Sequence, residues 1–151
     1  MELKTPYWAV VQAVVTASKE TVWEMLTLPE HKEKYMYECQ LHTSGVVGAP
    51  ASWRAKNSDG DWVDHVKAKV LAFEVGKHLA FEIFHEATES YGPAVSELHF
   101  YIERCEEGTQ IRIAQGDFKV IENGLERCKS CQQGWGYVLP ELVRSCNLMK
   151  K

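Results

Sequence analysis

The sequence has no long apolar run and no cluster of basic residues. None of its 151 residues lies in an apolar stretch long enough to cross a bilayer. Residues 1–4 lack the apolar core of a secretory signal. A formal net charge of -4 gives no electrostatic basis for nucleic-acid binding. We therefore expect a cytoplasmic protein with no membrane span and no nucleic-acid partner.

We also expect no complete disulfide framework, because the number of cysteines, five, is odd and their spacing is irregular. Cys128 and Cys131 form one Cys-x-x-Cys pair, but a structural zinc site needs four ligands and there is no second pair. Cys128 falls a full turn inside a predicted helix, whereas a reactive redox thiol lies at a helix start. We expect two semi-buried thiols, and we predict no metal and no cofactor.

Motifs for nucleotide binding and for catalysis are absent as well. The sequence contains no phosphate-binding glycine loop, no nucleophile elbow and no paired-carboxylate signature. The stretch "HEATE" at 85–89 begins like a zinc-protease motif, but Glu89 stands where the second histidine would be. His85 is the one candidate acid or base, so we predict no catalytic residues and rank an enzymatic function last.

Strand patterns dominate what is present. Residues 7–15 form a β-branched and aromatic run, and Ser18 can cap a short helix from Lys19 to Leu26. Pro29 can open a second short helix that runs through Tyr35. The later predicted strands lie around 37–43, 51–56, 62–74, 78–84, 98–102 and 111–113, with a hairpin turn at 57–61 and a loop at 87–93.

A long amphipathic helix is predicted from about Gly124 to Met149, with Asn123 and Glu126 spaced like a capping box. Its apolar positions alternate steps of three and four residues. Gly134, Gly136 and Pro140 nevertheless weaken the helix around Trp135. The order of elements predicts one α+β domain over residues 1–151, in which a curved antiparallel sheet of six to seven strands wraps around this helix.

Four motifs carry a family resemblance: "TASKETVWEMLTLPEH" (16–31), "GVVGAPASW" (45–53), "EEGTQIRIAQGDF" (106–118) and "GWGYVLPEL" (134–142). In this order they resemble the START-like (SRPBCC, helix-grip) superfamily. Within it, they are similar to the domain found in activators of the 90-kDa heat-shock-protein ATPase. The superfamily hosts several unrelated activities, so the resemblance is specific for the fold rather than for one function.

The resemblance implies a cavity between the sheet and the helix. Its expected ligand-binding residues are Trp53, Phe81, Ile83, His85, Phe100, Ile113, Gln115, Trp135 and Leu139. Gln115 and His85 are the polar candidates, and Gly134 and Gly136 could let a ligand or backbone approach closely. The aromatic residues could equally form an ordinary core, and the sequence leaves open whether Trp135 lines a cavity or fills a dry interior.

Three functions follow from the resemblance. The first is binding of a small apolar, aromatic or lipid-like ligand, with affinity from burial of its apolar surface. The second is a co-chaperone-like interaction that regulates a heat-shock-protein ATPase, as in a stress response. The third is a cyclase or dehydratase activity. The sequence leaves the ligand and the oligomeric state undetermined.

Overall fold

The structure, a computed structural model, describes residues 7–27, 40–88, 92–121 and 123–148. Within these ranges, seven antiparallel strands form one sheet in the order β1-β7-β6-β5-β4-β3-β2. The strands are β1 (Ala9–Val15), β2 (Gln40–Thr43), β3 (Pro50–Lys56), β4 (Trp62–Glu74), β5 (His78–Thr88), β6 (Gly92–Cys105) and β7 (Gly108–Gly116). The helices are α1 (Lys19–Thr27) and α2 (Gly124–Leu148), and a short 3-10 turn spans Phe118–Val120.

This arrangement confirms the predicted α+β helix-grip fold, a curved sheet with a short helix after the first strand and a long helix at the end. The second short helix, predicted from Pro29 to Tyr35, lies outside the described residues. Helix α1 begins as predicted, because the Thr21 backbone N–H donates to the Ser18 hydroxyl at 3.2 Å. Val22, Trp23 and Leu26 are buried on one face of α1.

The turn between β3 and β4 forms at the predicted position. Gly60 has a φ of 83°, a value that favours glycine. The Asn57 side-chain oxygen accepts hydrogen bonds from the backbone N–H groups of Asp59 and Asp61, at 2.9 and 3.0 Å. The side chain of Asn57 therefore satisfies backbone groups that the strands cannot pair at the turn.

The predicted loop at 87–93 is shorter in the structure. Strand β5 extends to Thr88, β6 begins at Gly92, and these two residues face each other in the ladder. A register irregularity between His85 and Thr88 accommodates the extension. Continued pairing satisfies backbone groups that a longer loop would leave to water, and this outweighs the turn-like composition of the segment.

Helix α2 begins at Gly124, as predicted, and continues through Pro140 to Leu148, with Met149 outside the described residues. The predicted capping box differs in detail. Asn123 has a left-handed backbone with a φ of 58°, rather than the extended conformation of most N-cap residues. Its carbonyl accepts the Arg127 N–H at 2.9 Å, so the backbone of Asn123 takes part in the first turn.

Two side-chain amides attach α2 to strand β1, which is an edge of the sheet. The Gln132 amide accepts from the Val10 N–H at 2.9 Å and donates to the Val10 carbonyl at 3.0 Å. Near the other end of α2, the Asn147 side-chain oxygen accepts from the backbone N–H and the hydroxyl of Thr16, at 3.0 and 3.1 Å. These bonds hold the helix along the first strand.

The core lies between the helices and one face of the sheet, which we call the inner face; the opposite face is the outer face. Strand β6 shows the division, because Leu98, Phe100 and Ile102 are buried in the core while the residues between them point to the outer face. Helix α2 buries side chains at steps of three and four residues against this core: Trp135, Val138, Leu142 and Cys146.

Candidate functional site

The predicted ligand-binding residues come together on the inner face. Six of them belong to one buried cluster and Leu139 packs against it; the six are Trp53, Phe81, Ile83, Phe100, Ile113 and Trp135. Two aromatic pairs meet edge to face, Trp53 with Phe81 at 4.9 Å and Phe100 with Trp135 at 5.8 Å between ring centroids. The backbone of His85 lies on β5, and its side chain lies outside the described part of the structure.

Trp135 is held by packing and by a hydrogen bond. The residue is 8% exposed, and its indole N–H donates to the Gln115 side-chain oxygen at 3.0 Å. A buried indole usually finds such a partner, since an unpaired N–H in an apolar interior is costly. Among the described residues, Trp135 is therefore part of a packed interior.

The glycines beside Trp135 do not face the sheet. A Cβ atom built at Gly134 or Gly136 would meet nothing within 4 Å. The expectation that these glycines let backbone approach closely is therefore wrong for the described residues, and the close approach of a ligand stays a prediction. Successive residues on an α-helix are rotated by about 100°, so the neighbours of an inward-pointing tryptophan must point to its two sides.

The Gln115 amide joins three structural elements. Its oxygen accepts from the Trp135 indole and also from the Cys131 thiol at 3.0 Å, and its nitrogen donates to the Ser96 hydroxyl at 3.0 Å. Gln115 is only 9% exposed. A primary amide carries two N–H donors. Within the described ranges, the second N–H of Gln115 has no hydrogen-bond acceptor.

Burial disfavours the thiolate form of the three cysteines of α2, so it raises their pKa values. Burial raises the pKa of Cys131 to about 12, with a further contribution from Cys128, and burial raises the pKa of Cys146 to about 12. Burial, with a smaller effect from Asp117, also raises the pKa of Cys128. Cys131 can thus act as the S–H donor to Gln115. In the described part of the chain, no group of three or more metal-ligating side chains is positioned to hold a metal ion.

An open groove of about 600 Å³ lies where α2 begins, and we call it the α2-start groove. Its lining consists of Gln115, Phe118, Asn123, Glu126, Arg127, Ser130 and Cys131. Gln115 links the groove to Trp135, because the same amide lines the groove and binds the indole. Glu126 and Arg127 supply charge, Ser130 a hydroxyl group and Phe118 an apolar surface.

Sequence reasoning identified Gln115 but missed the other residues of the α2-start groove. A signal was present, since positions 123, 126, 127 and 130 are spaced by three and four and share one face of the helical start. The spacing does not show which residues of other elements lie opposite these four positions. Phe118 contributes to the groove from the 3-10 turn before α2. A turn of three residues is too short to show a periodic pattern in the sequence, so its position could not be predicted.

A second polar cluster lies on the outer face, and we call it the histidine ladder: Glu74, His78, Glu97 and His99. The imidazole nitrogens of His78 and His99 are 2.8 Å apart, and His99 lies 2.9 Å from Glu97 Oε1. His78 Nδ1 is 3.5 Å from Glu74 Oε1. Burial, and then the neighbouring His99, lower the pKa of His78, while Glu74 opposes this shift. Neither histidine lines the α2-start groove.

No helix of the described residues combines the length and the apolar composition that crossing a membrane requires. The cytoplasmic location, the absence of a cofactor and the single-domain organisation stay predictions. The ligand-contacting role of the nine residues named from the sequence also stays a prediction.

Several solved structures share this fold. A crystal structure of a protein from Mesorhizobium loti has a TM-score of 0.75 and 19% identity, with 95% of this chain and 99% of that chain covered. The Aha1 dimer from Colwellia psychrerythraea, solved in solution, has a TM-score of 0.69 and 19% identity, covering 95% and 98% of the two chains. At these identities the likeness shows the fold alone.

A third similar structure is a putative protein in the dynemicin biosynthetic locus. It has a TM-score of 0.70 and 20% identity, and the match covers 95% of this chain and 48% of the other. No curated protein matches the sequence significantly. A family profile described as "Activator of Hsp90 ATPase homolog 1-like protein" matches residues 16–146, which is most of the chain and includes all four motifs in full. With the START-like fold in agreement, this chain belongs to the family of Activator of Hsp90 ATPase homolog 1-like proteins.

Proposed function

We propose that this protein binds a small apolar or aromatic molecule at the α2-start groove, with a polar group of the ligand on Gln115. The observation that carries the proposal is the Gln115 amide, which is buried, is fixed by three hydrogen bonds, keeps one N–H donor that no described residue accepts, and belongs to the lining of the groove. A fixed polar group at the base of a concave surface is typical of small-ligand sites.

The groove also suggests how the ligand would be oriented. An acceptor oxygen of the ligand would take the second N–H of Gln115, while Arg127 and Ser130 offer further donors. Phe118 would contact the apolar part of the ligand. The volume of about 600 Å³ is within the range of pockets that hold drug-sized molecules.

The test is an NMR titration of the full-length chain with dodecanoate, naringenin and emodin. The reporters are the indole N–H signal of Trp135, one of five tryptophans, and the pair of side-chain amide signals of its partner Gln115. We expect at least one compound to shift both sets of signals saturably. If none of the three shifts them, the groove is not a binding site for this class of ligand.

A matched pair of variants assigns the binding to the groove. Arg127→Ala removes a lining cation, whereas Lys129→Ala removes an exposed cation of the same helix that does not line the groove. We expect Arg127→Ala to weaken binding of the anionic probe dodecanoate by roughly tenfold, the value of one charge-assisted hydrogen bond. Lys129→Ala should leave the affinity unchanged. If the two substitutions weaken dodecanoate binding equally, the affinity depends on the net charge of the protein rather than on a contact in the groove.

Family membership supports a second candidate, regulation of a heat-shock-protein ATPase. The measurement is the ATPase rate of the 90-kDa chaperone with and without this protein, together with a pull-down. Stimulation that Arg127→Ala leaves intact, in the absence of any ligand-induced shift at Trp135, would favour this candidate over ligand binding.

A further inference from the structure

A separate groove of about 420 Å³ crosses the outer face of the sheet, and we call it the outer groove. Strands β2, β3, β4 and β5 supply its lining: His42, Pro50, Ala51, Ser52, Arg54, Asp64, Lys67, Ala68 and Phe84. It shares no residue with the α2-start groove. Phe84 is 46% exposed, which is unusual for a phenylalanine and leaves an apolar surface open at the groove.

A β-bulge places the charges of the outer groove. Trp53 pairs with Val66 and Arg54 pairs with Asp64, so His65 is an extra residue on β4. Because side chains alternate along a strand, one extra residue moves those beyond it to the opposite face. Without the bulge, Asp64 would be directed to the core; with it, Asp64 lies opposite Arg54 on the outer face.

The bulge brings Asp64 opposite Arg54, which fixes the orientation of the guanidinium group through Nε alone. Its Nε lies 2.6 Å from Asp64 Oδ1 and 3.1 Å from the Ser52 hydroxyl oxygen. The two terminal Nη groups have no hydrogen-bond partner within the described ranges. A guanidinium held by Nε keeps a pair of parallel donors available, and this pair matches the geometry of a carboxylate.

Lys67 brings a second cation to the same groove. It pairs with Ser52 across the β3–β4 ladder, on the same face as Arg54. No ion pair of Lys67 occurs among the described residues, whereas its neighbour Lys69 lies 3.8 Å from Glu82. The lining thus contains two cations against one carboxylate, in a chain whose formal net charge is -4.

Aromatic surfaces flank these cations. The His42 ring is held edge-on against Trp62, at 5.5 Å between ring centroids, and Phe84 lies on the far side of the groove on β5. Ser52 is small and buried on this face, and the side chains of Ala51 and Ala68 belong to the core on the inner face, so no large side chain protrudes from the floor at these positions. His42, Ser52, Lys67 and Phe84 form one row across the four strands. A flat ring along this row would bring its substituent toward Lys67 and toward Arg54, two residues beyond Ser52 on the same face.

From this geometry we infer that the outer groove is a second binding site, specific for small aromatic carboxylates. The carboxylate binds the Nη groups of Arg54 and the ammonium group of Lys67, and the ring contacts His42, Pro50 and Phe84. Because the groove is open to water, the affinity is in the millimolar range. The inference does not depend on the α2-start groove.

The test is an NMR titration of the full-length protein with 2-naphthoate, monitored at the backbone amides of Ser52, Arg54 and Lys67. The ligand control is 2-naphthamide, which keeps the ring and lacks the charge. We expect saturable shifts with 2-naphthoate and an affinity for 2-naphthamide at least fivefold lower. Equal affinity for the two compounds, or no saturable shift at these amides, would overturn the inference.

Charge-removing variants complete the experiment. Lys67→Gln and Arg54→Gln should each weaken 2-naphthoate binding at least fivefold, while Lys69→Gln on the same strand should leave it unchanged. Lys67 is exposed and makes no side-chain hydrogen bond or ion pair within the described ranges, so Lys67→Gln should fold and keeps the test valid if Arg54→Gln does not fold. A loss of affinity with Lys69→Gln as large as with Lys67→Gln would contradict a defined site. Shifts at Trp135 in place of Ser52 would assign the ligand to the α2-start groove and also overturn the inference.

Discussion

The two faces of the sheet use polar side chains in different ways. On the inner face, the Gln115 amide makes three hydrogen bonds, to Ser96, Cys131 and Trp135, so most of its polar groups hold the core together and one N–H remains. On the outer face, Arg54 keeps donors available beside an exposed Phe84. The two residues thus differ in degree: Gln115 mainly holds the core together, whereas Arg54 keeps both of its terminal nitrogens available to solutes.

The largest expected effect compares one tryptophan from each face. Trp135→Ala should lower the free energy of unfolding by about 3–5 kcal/mol, because the residue is buried and hydrogen-bonded. Trp62→Ala, on the outer face, should cost less than about 1 kcal/mol, since Trp62 is 44% exposed. Urea denaturation of both variants measures the difference. A loss below about 2 kcal/mol for Trp135→Ala would indicate a cavity wall rather than a packed core.

The second prediction, with an effect of intermediate size, compares two glycines of α2 that differ in what an added Cβ atom would contact. A Cβ at Gly124 would lie 1.8 Å from the Phe118 carbonyl oxygen, so Gly124→Ala must displace backbone. We expect it to cost about 1–3 kcal/mol or more.

Gly136→Ala is the matched variant, because its Cβ meets nothing within 4 Å. It should stabilise the protein by about 0.5–1 kcal/mol, the gain for alanine over glycine inside a helix. Thermal unfolding of the two variants gives the comparison. Destabilisation by Gly136→Ala would mean that this side of the helix is covered.

The smallest effect concerns pH and the histidine ladder of the outer face. Burial lowers the pKa of His78 below its ordinary value of 6.5, so the folded protein holds this proton less tightly than the unfolded chain. Between the folded pKa and 6.5 the unfolded state therefore binds more protons. The contribution of His78 to stability is present above 6.5 and is lost as the pH falls through this window.

An NMR titration of the His78 ring protons measures the pKa directly. Glu74→Gln should lower the pKa further, because Glu74 is the group that raises it. His78→Gln should flatten the dependence of unfolding free energy on pH below 6.5. A His78 pKa above 6.5 would contradict the assigned effect of burial.

Much of the fold was predictable because apolar residues recur along the chain at intervals that are typical of helices and strands. The steps of three and four residues predicted a helix over 124–149, and the structure has α2 over Gly124–Leu148, with Met149 outside the described residues. Apolar residues at every second position of 78–84 and 98–102 indicate the inward faces of β5 and β6, and these residues are buried. The bulge at His65 was not predictable, since it depends on register between strands rather than on alternation within one. The direction of Gly134 and Gly136 was predictable in principle, from the helical rotation away from Trp135.

The candidate site was only partly predictable for a related reason. The family resemblance grouped Trp53, Phe81 and Phe100, and the structure places all three in one buried cluster. Whether the shared space is filled depends on the volumes of side chains that come from elements distant in sequence. The bond between Gln115 and Trp135 joins residues 20 apart in sequence, and no local pattern encodes it.

The Gln132 amide that binds both backbone groups of Val10 has a consequence for self-association. Strand β1 ends the sheet, and an uncovered edge strand can template pairing with another chain. Gln132 occupies the edge in the same way that a neighbouring strand would, and Asn147 does so at Thr16. Detachment of α2 would therefore expose an aggregation-prone edge at the same moment as the apolar core, so the long helix also guards the protein against polymerisation.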